Sequence, residues 1–353
     1  MGEKPATRQY QLLEKSVAHY EKLKEKAWPE ISLGKNKSLK LNDSSVAIPL
    51  IKERLIILGD MRKERLAFLE NLFGKSSAGI YTADVENAVK SFQLRHGMED
   101  DGIIGTAVIK ALNKSPAERI AQMRTNMDRI LKDTTQTGQG QRILVNIPEY
   151  RLYVYEDNRE VLAMDIVVGK TSNPTIAFND EMEQIVFSPY WNLPPNIIRN
   201  EILPAMKKNS NYLRNHNMEI TGTEDGLPVI RQRPGPDNAL GGVKFMFPNK
   251  YNIYFHDTPS KSLFRSNRRA FSHGCIRLSQ PFELAKYLLK DQQEWTDEAI
   301  RKAMNGRSEK WVKLEQKIPV SITYYTSWVD SFGNIQFRDD IYGHDKELAN
   351  DIP

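Results

Sequence analysis

The segment Phe271-Ser272-His273-Gly274-Cys275-Ile276-Arg277-Leu278 gathers a hydroxyl, an imidazole, a thiol and a guanidinium within one short stretch, and a second imidazole, His256, precedes it in the run Asn252-Ile253-Tyr254-Phe255-His256-Asp257-Thr258. Cys275 is the single cysteine of the chain, so no disulfide can form within it. A thiolate is a strong nucleophile, but a free thiol with a pKa of about 8.5 is only slightly ionised at neutral pH. A neighbouring imidazole that accepts the proton removes that limit. His256 and His273 are both candidates. His256 leaves a strand-like run and can face Cys275 across the end of a sheet, whereas His273 stands two positions before the thiol, where its side chain points elsewhere. Gly274 lets the backbone turn tightly, so that amides at 273–275 can point at a developing oxyanion. Arg277, with Arg265, Arg268 and Arg269 nearby, carries planar guanidinium groups suited to carboxylates. A lone cysteine between glycine and isoleucine is more often a core residue; the ordered set His256, Ser272, His273, Gly274 and Cys275 favours catalysis.

The elements that must position these residues change character along the chain. Residues 8–28 read as a helix, with Leu12, Leu13, Val17, Tyr20 and Leu23 near helical spacing, ending at Trp28-Pro29. Val46, Leu50, Leu55 and Leu58 form an apolar face that stops at Gly59. A second helix runs from Thr82, its expected cap, to His96 and stops at Gly97. Asp101-Gly102 makes a turn, and Thr106 opens a short helix through Leu112. Ile120, Met123, Met127 and Ile130 repeat helically over 116–132, and the polar stretch 134–141 reads as a linker. Beyond it the period becomes that of strands: Ile143, Val145 and Ile147; Leu152 and Val154; Val161–Val168 after a turn at Glu156-Asp157-Asn158; then Gln184–Phe187, Asn252–His256 and Val320–Trp328. Between Pro194 and Glu219 lies a more helical excursion, expected over 195–230 as a lid beside the site.

Composition is ordinary for a folded protein, with 40% hydrophobic and 27% charged residues and a net charge of +5. No run of about 18 apolar residues is present, so no membrane span is read. No secretory leader is read in Met1-Gly2-Glu3-Lys4. Zinc-finger, RNP-type and basic-helix patterns are absent, which argues against nucleic acid. HExxH and HxxEH are absent and the six histidines are scattered, which argues against a zinc peptidase. A wall-binding protein without activity is the other alternative.

The order LxxLG, AVxxFQxxHG, DGxxG and AL over residues 46–113 resembles the small three-helix peptidoglycan-binding domain. His256 followed by Ser272-His273-Gly274-Cys275, together with Pro189-Tyr190-Trp191-Asn192-Leu193-Pro194 and Gly241-Gly242-Val243-Lys244-Phe245, resembles the L,D-transpeptidase catalytic domain over about 141–345. The resemblance is to the large periplasmic members that carry a peptidoglycan-binding domain. It implies a multidomain α+β fold: a helical scaffold segment at 1–44, the binding domain at 45–115, a scaffold helix and linker at 116–140, a β-rich catalytic domain at 141–345 and a tail at 346–353. It implies Cys275 as nucleophile and His256 as base, with the carbonyl of Asp257 orienting the imidazole and His273 and Gly274 supplying the catalytic loop. Arg277, Ser272, Tyr254, Trp191 and Tyr190 are the candidates for substrate contact. Tyr190 and Trp191 can equally be core aromatics. The implied activity is 3→3 cross-linking of peptidoglycan stems through a thioester, in the periplasm or cell envelope, with no cofactor and no metal. Other cell-wall synthesis enzymes are the further partners it suggests. L,D-carboxypeptidase or lipoprotein-anchoring activity are the alternatives.

Overall fold

A computed structural model describes residues 8–62, 79–132 and 140–346. The linker expected at 134–141 falls outside the described residues as far as 139, as does the tail from 347 onward. The chain divides into two compact units, Thr137–Tyr324 and the remainder, Met1–Gln136 with Tyr325–Pro353.

The mainly helical unit holds two cores. Helix α1 (Arg8–Leu23) packs Tyr10, Leu13, Tyr20 and Leu23 against Ile120, Met123, Met127 and Ile130 of the helix Pro116–Lys132. These positions recur every three to four residues, which places them on one helical face. The second core joins Ile48, Ile51 and Leu55 of α2 (Ile48–Ile57) to Val85, Val89 and Phe92 of α3 (Ala83–Arg95) and Val108 and Leu112 of α4 (Thr106–Asn113). Burying each such side chain contributes about 1.5–3 kcal/mol. Beside this core Arg95 donates to both carboxylate oxygens of Asp60, at 2.6 and 2.5 Å. Thr82 does precede α3 in an extended conformation, but its hydroxyl makes no capping bond and is buried without a partner.

One boundary differs from the sequence reading, which carried the catalytic domain to 345. From Tyr325 the chain belongs to the helical unit. Tyr325, Val329 and Phe337 join the core of α1 and the helix Pro116–Lys132, and Gln122 Nε2 donates to the carbonyls of Thr326 and Arg338, both at 3.0 Å. Alternating apolar residues announce a strand without saying which core receives them.

The other unit is built on a nine-stranded sheet with strands β1 (Gln141–Asn146), β2 (Arg151–Glu156), β3 (Arg159–Gly169), β4 (Phe178–Phe187), β8 (Val243–Met246), β9 (Phe255–His256), β10 (Ala270–Ser272), β11 (Ile276–Leu278) and β12 (Lys310–Thr323); three strands between β4 and β8, β5 (Trp191–Asn192), β6 (Met218–Glu224) and β7 (Leu227–Gln232), form a separate sheet. Their order is β10-β3-β11-β9-β8-β4-β12-β1-β2, and β2 pairs again with β3, which closes the sheet on itself. β11 is thus an interior strand, and Cys275 stands at its start rather than on a sheet edge.

The excursion between β4 and β8 is more than helical. Helical turns occupy 195–208 and Tyr212–Asn215, and then β6 (Met218–Glu224) and β7 (Leu227–Gln232) form a hairpin that pairs with β5 (Trp191–Asn192). Asp225 and Gly226, at φ +49° and +74°, make the tight turn that an Asp-Gly pair suits. Leu193, Ile197, Ile198, Ile202 and Ile230 give this subdomain a core of its own, against which Trp191 packs.

Candidate active site

Strand register brings the chemistry together. Across β11, β9, β8, β4 and β12, Ile276, Phe255, Phe245, Ile185 and Val312 fall into one row of paired positions. The first four are fully buried and face the core. The adjacent row projects from the opposite face, because side chains alternate along a strand. It reads Arg277, His256, Lys244, Val186 and Trp311. Cys275 and Tyr254 stand two positions before Arg277 and His256 and share their face. The nucleophile and base candidates are therefore diagonal neighbours on two adjacent parallel strands.

His256 is buried, and its Nδ1 lies 2.5 Å from the carbonyl of Asp257. That contact requires a proton on Nδ1, since a carbonyl only accepts, and leaves Nε2 with its lone pair. Burial, and then the charge of Arg277, push the imidazolium pKa down to about 3. The resting ring is neutral across the physiological range.

Asp257 is fixed by its own side chain. Its carboxylate accepts from the amides of Gly242 at 2.9 Å and Thr258 at 2.7 Å, and from Lys261 Nζ at 2.5 Å. Gly241, at φ +60°, passes so close that an added Cβ would lie 2.4 Å from Asp257 Cγ. The glycine pair before β8 thus makes room for the side chain of Asp257, whose carbonyl meets His256.

Cys275 is half-buried, with Sγ 3.6 Å from the carbonyl of Asn252. Burial raises its thiol pKa, while hydrogen bonds from Tyr254 and the charge of Arg277 pull it back. Arg277 loses proton affinity to burial, and its Nε is buried without a hydrogen-bond partner. At rest the thiol and the imidazole are both neutral.

The loop before Cys275 is locked from within. Ser272 is buried, and its hydroxyl donates to the carbonyl of Cys275 at 2.5 Å and accepts from the Gly274 amide at 3.2 Å. Gly274 adopts φ +114°, and its carbonyl accepts from Thr175 Oγ1 at 2.7 Å. Two expectations change here. Ser272 is occupied in holding the loop rather than open to substrate, and the Gly274 amide is spent inside it, which leaves the amides of His273 and Cys275 as oxyanion candidates. His273 is engaged by the excursion: its Nε2 lies 2.8 Å from Glu201 Oε1.

The remaining candidates spread further. Tyr254 stands beside the thiol, with its ring 5.7 Å from that of His256. Tyr190 lies under Arg231, at 4.2 Å, and its amide donates to Glu309. Arg269 pairs with Asp165 at 3.0 Å and the Tyr150 carbonyl at 3.2 Å, which makes it a brace for the loop. Arg268 lies 3.4 Å from Thr171 Oγ1, and Arg265 is exposed. Lys244 and Trp311, absent from the sequence-derived candidates, enter through strand pairing alone. Among the described residues no group of three His, Cys, Asp or Glu side chains could hold a metal ion.

Residues 140–322, just over half the chain, match the family model of the L,D-transpeptidase catalytic domain. The chain belongs to this family of acyltransferase-type enzymes. Residues 50–112 match the model of a peptidoglycan-binding domain, so this L,D-transpeptidase family member carries both modules. A Haemophilus influenzae relative, itself only provisionally assigned as an L,D-transpeptidase, is 33% identical in an alignment of 222 positions that covers 58% of this chain and 45% of that protein. The chain thus spans less than half the length of this relative. Among solved structures, an L,D-transpeptidase from Mycobacterium smegmatis is 15% identical, covering 53% of this chain and 59% of its own with a TM-score of 0.29. The L,D-transpeptidase LdtMt1, solved in complex with imipenem, is 14% identical, covering 53% of this chain and 60% of its own with a TM-score of 0.28.

Proposed function

We propose that this family member is a cysteine L,D-transpeptidase that joins peptidoglycan stems by 3→3 cross-links in the cell envelope. The observation that carries the reading is the single face holding Cys275 and a neutral His256 whose Nδ1 is committed to the Asp257 carbonyl. In the first half-reaction Cys275 Sγ attacks the carbonyl of the L,D bond of a tetrapeptide stem as His256 Nε2 takes the thiol proton. The oxyanion is met by the amides of His273 and Cys275. The C–N bond breaks, the imidazolium returns its proton to the departing D-residue's nitrogen, and a thioester remains. A side-chain amine of a second stem then attacks that thioester, passing its proton through His256 to the sulfur as the thiolate leaves. Water as acceptor makes the same site an L,D-carboxypeptidase, and a lipoprotein lysine makes it an anchoring enzyme. The excursion acts as a lid, tied to the catalytic loop through His273 and Glu201. The peptidoglycan-binding module holds the wall polymer, and other cell-wall synthesis enzymes are the proposed protein partners.

The test is incubation with tetrapeptide-stem fragments followed by mass analysis. A cross-linked dimer lacking one D-residue is the expected product, and a bare tripeptide would replace the reading with carboxypeptidase. Cys275→Ala and Cys275→Ser abolish the product, because a hydroxyl is a far poorer nucleophile at the same pH. Full activity in Cys275→Ala would refute the cysteine mechanism. β-Lactams acylate nucleophiles of this kind by resembling a peptide, so a carbapenem adduct on Cys275 is a second expected mass. No adduct on a folded protein with an alkylatable thiol would count against the assignment.

A further inference from the structure

The row beside the nucleophile does not end at the base. Lys244 on β8 pairs with His256 on β9, so its side chain rises from the same face, one strand further from Cys275. Trp311 lies two strands beyond, paired through Val186. Lys244 is nine-tenths buried, its side chain keeping 11% of its surface, and burial lowers its pKa. Its ammonium sits 5.3 Å from the centre of the Trp311 ring.

An ammonium group has three protons to donate, and those of Lys244 face accessible space rather than an apolar interior, since its Nζ is not among the buried polar atoms that lack a partner. Among the described residues its one ionic partner is Glu309, at 3.9 Å, beyond hydrogen-bond distance. Glu309 is itself engaged, accepting from the Tyr190 amide and from Trp311 Nε1, each at 3.0 Å. Trp311 leaves 53% of its surface open. A sheltered cation with spare donors, beside an open aromatic face, is built to receive an anion carried on a partly apolar ligand.

We propose that Lys244 binds an internal carboxylate of the acyl-donor stem peptide, with Trp311 flooring the subsite. The proposal rests on the transpeptidase reading for the identity of the ligand. Reach selects which carboxylate. Strands lie about 4.8 Å apart, so β8, two strands from β11, is about 10 Å from it. An extended peptide covers that span in about three residues. The carboxylate of the departing residue lies only one residue from the scissile carbonyl and is too near.

The experiment measures binding of tetrapeptide-stem fragments to the full chain carrying Cys275→Ala, by calorimetry, with the internal carboxylates free or amidated. Lys244→Met keeps the length of the side chain and removes its charge. It is expected to weaken binding of the free form roughly ten- to hundredfold, the scale of a hydrogen bond to a charged group. Affinity for the amidated form should stay unchanged, and Lys244→Arg should retain most of the binding. With Lys244 intact, amidation must by itself weaken binding, which tests the idea without relying on a folded variant. Equal affinity for both forms, loss of both forms together in a folded Lys244→Met protein, or no measurable binding would overturn the subsite. Dependence on the terminal carboxylate alone would also overturn it. Turnover of the same fragments by the unsubstituted enzyme separates the two readings: Lys244-dependent binding without cross-linking would leave the subsite standing and remove the transpeptidase.

Discussion

A histidine kept neutral by burial must weaken its own domain in acid. His256 has its pKa pushed from 6.5 to about 3 in the folded protein. Between these values the unfolded chain binds a proton that the folded chain refuses, so stability falls as pH drops below about 6.5 and stops falling near 3. At pH 5 the unfolded imidazole is almost fully protonated. With 1.36 kcal/mol per unit, the loss relative to neutral pH is about 2 kcal/mol, approaching about 5 kcal/mol below pH 3. His256→Gln removes the titration. Hydrogen exchange reports opening of the catalytic unit through amides such as Ile276, bonded to the Tyr254 carbonyl at 3.2 Å, and Asp257, bonded to that of Val243 at 2.9 Å. After correction for intrinsic exchange, the difference in opening free energy between pH 7 and pH 5 should shrink by about 2 kcal/mol in His256→Gln, roughly thirtyfold in the opening constant. His96, also buried and neutral, belongs to the other unit and leaves these amides unaffected. An unchanged pH dependence in the variant would refute the picture of a buried neutral base. The same substitution should lower turnover by about 10²–10⁴.

Three further outcomes follow from the geometry. Gly241→Ala should push Asp257 out of place and lower kcat by roughly a hundredfold with little change in KM, while circular dichroism remains native; unchanged kcat would mean that the Asp257 carbonyl does not position the base. His273→Ala should be milder than His256→Ala in kcat, and a double-mutant cycle with Glu201→Ala should show coupling, since the two side chains meet at 2.8 Å; additive effects would remove this contact from the lid. Asp60→Ala strands the buried Arg95 and should cost the helical unit about 3–5 kcal/mol, read by urea unfolding with α3 exchange as probe.

The chemistry of the candidate site was legible because it is local. A thiol, a glycine turn and a guanidinium within one short motif announce themselves through residue type and spacing, as do the helical repeats of α1 and the helix Pro116–Lys132. The Asp225-Gly226 turn was equally available, yet the helical reading of the excursion stopped at Glu219 and the hairpin beyond it went unread. Other features had no local signal. Lys244 and Trp311 are 67 residues apart in sequence and reach one row only because β8, β4 and β12 pair in a particular register. Register depends on hydrogen bonds between distant segments, and a shift of one residue would turn Lys244 into the core. The same holds for Ser272 and Gly274: the motif names a hydroxyl and an amide, but only the folded loop spends them on each other. Residues 325–337 show the limit most plainly. The strand reading ran from Val320 through Trp328, but which core the segment from Tyr325 completes is decided by the apolar faces of α1 and the helix Pro116–Lys132, far away in the chain.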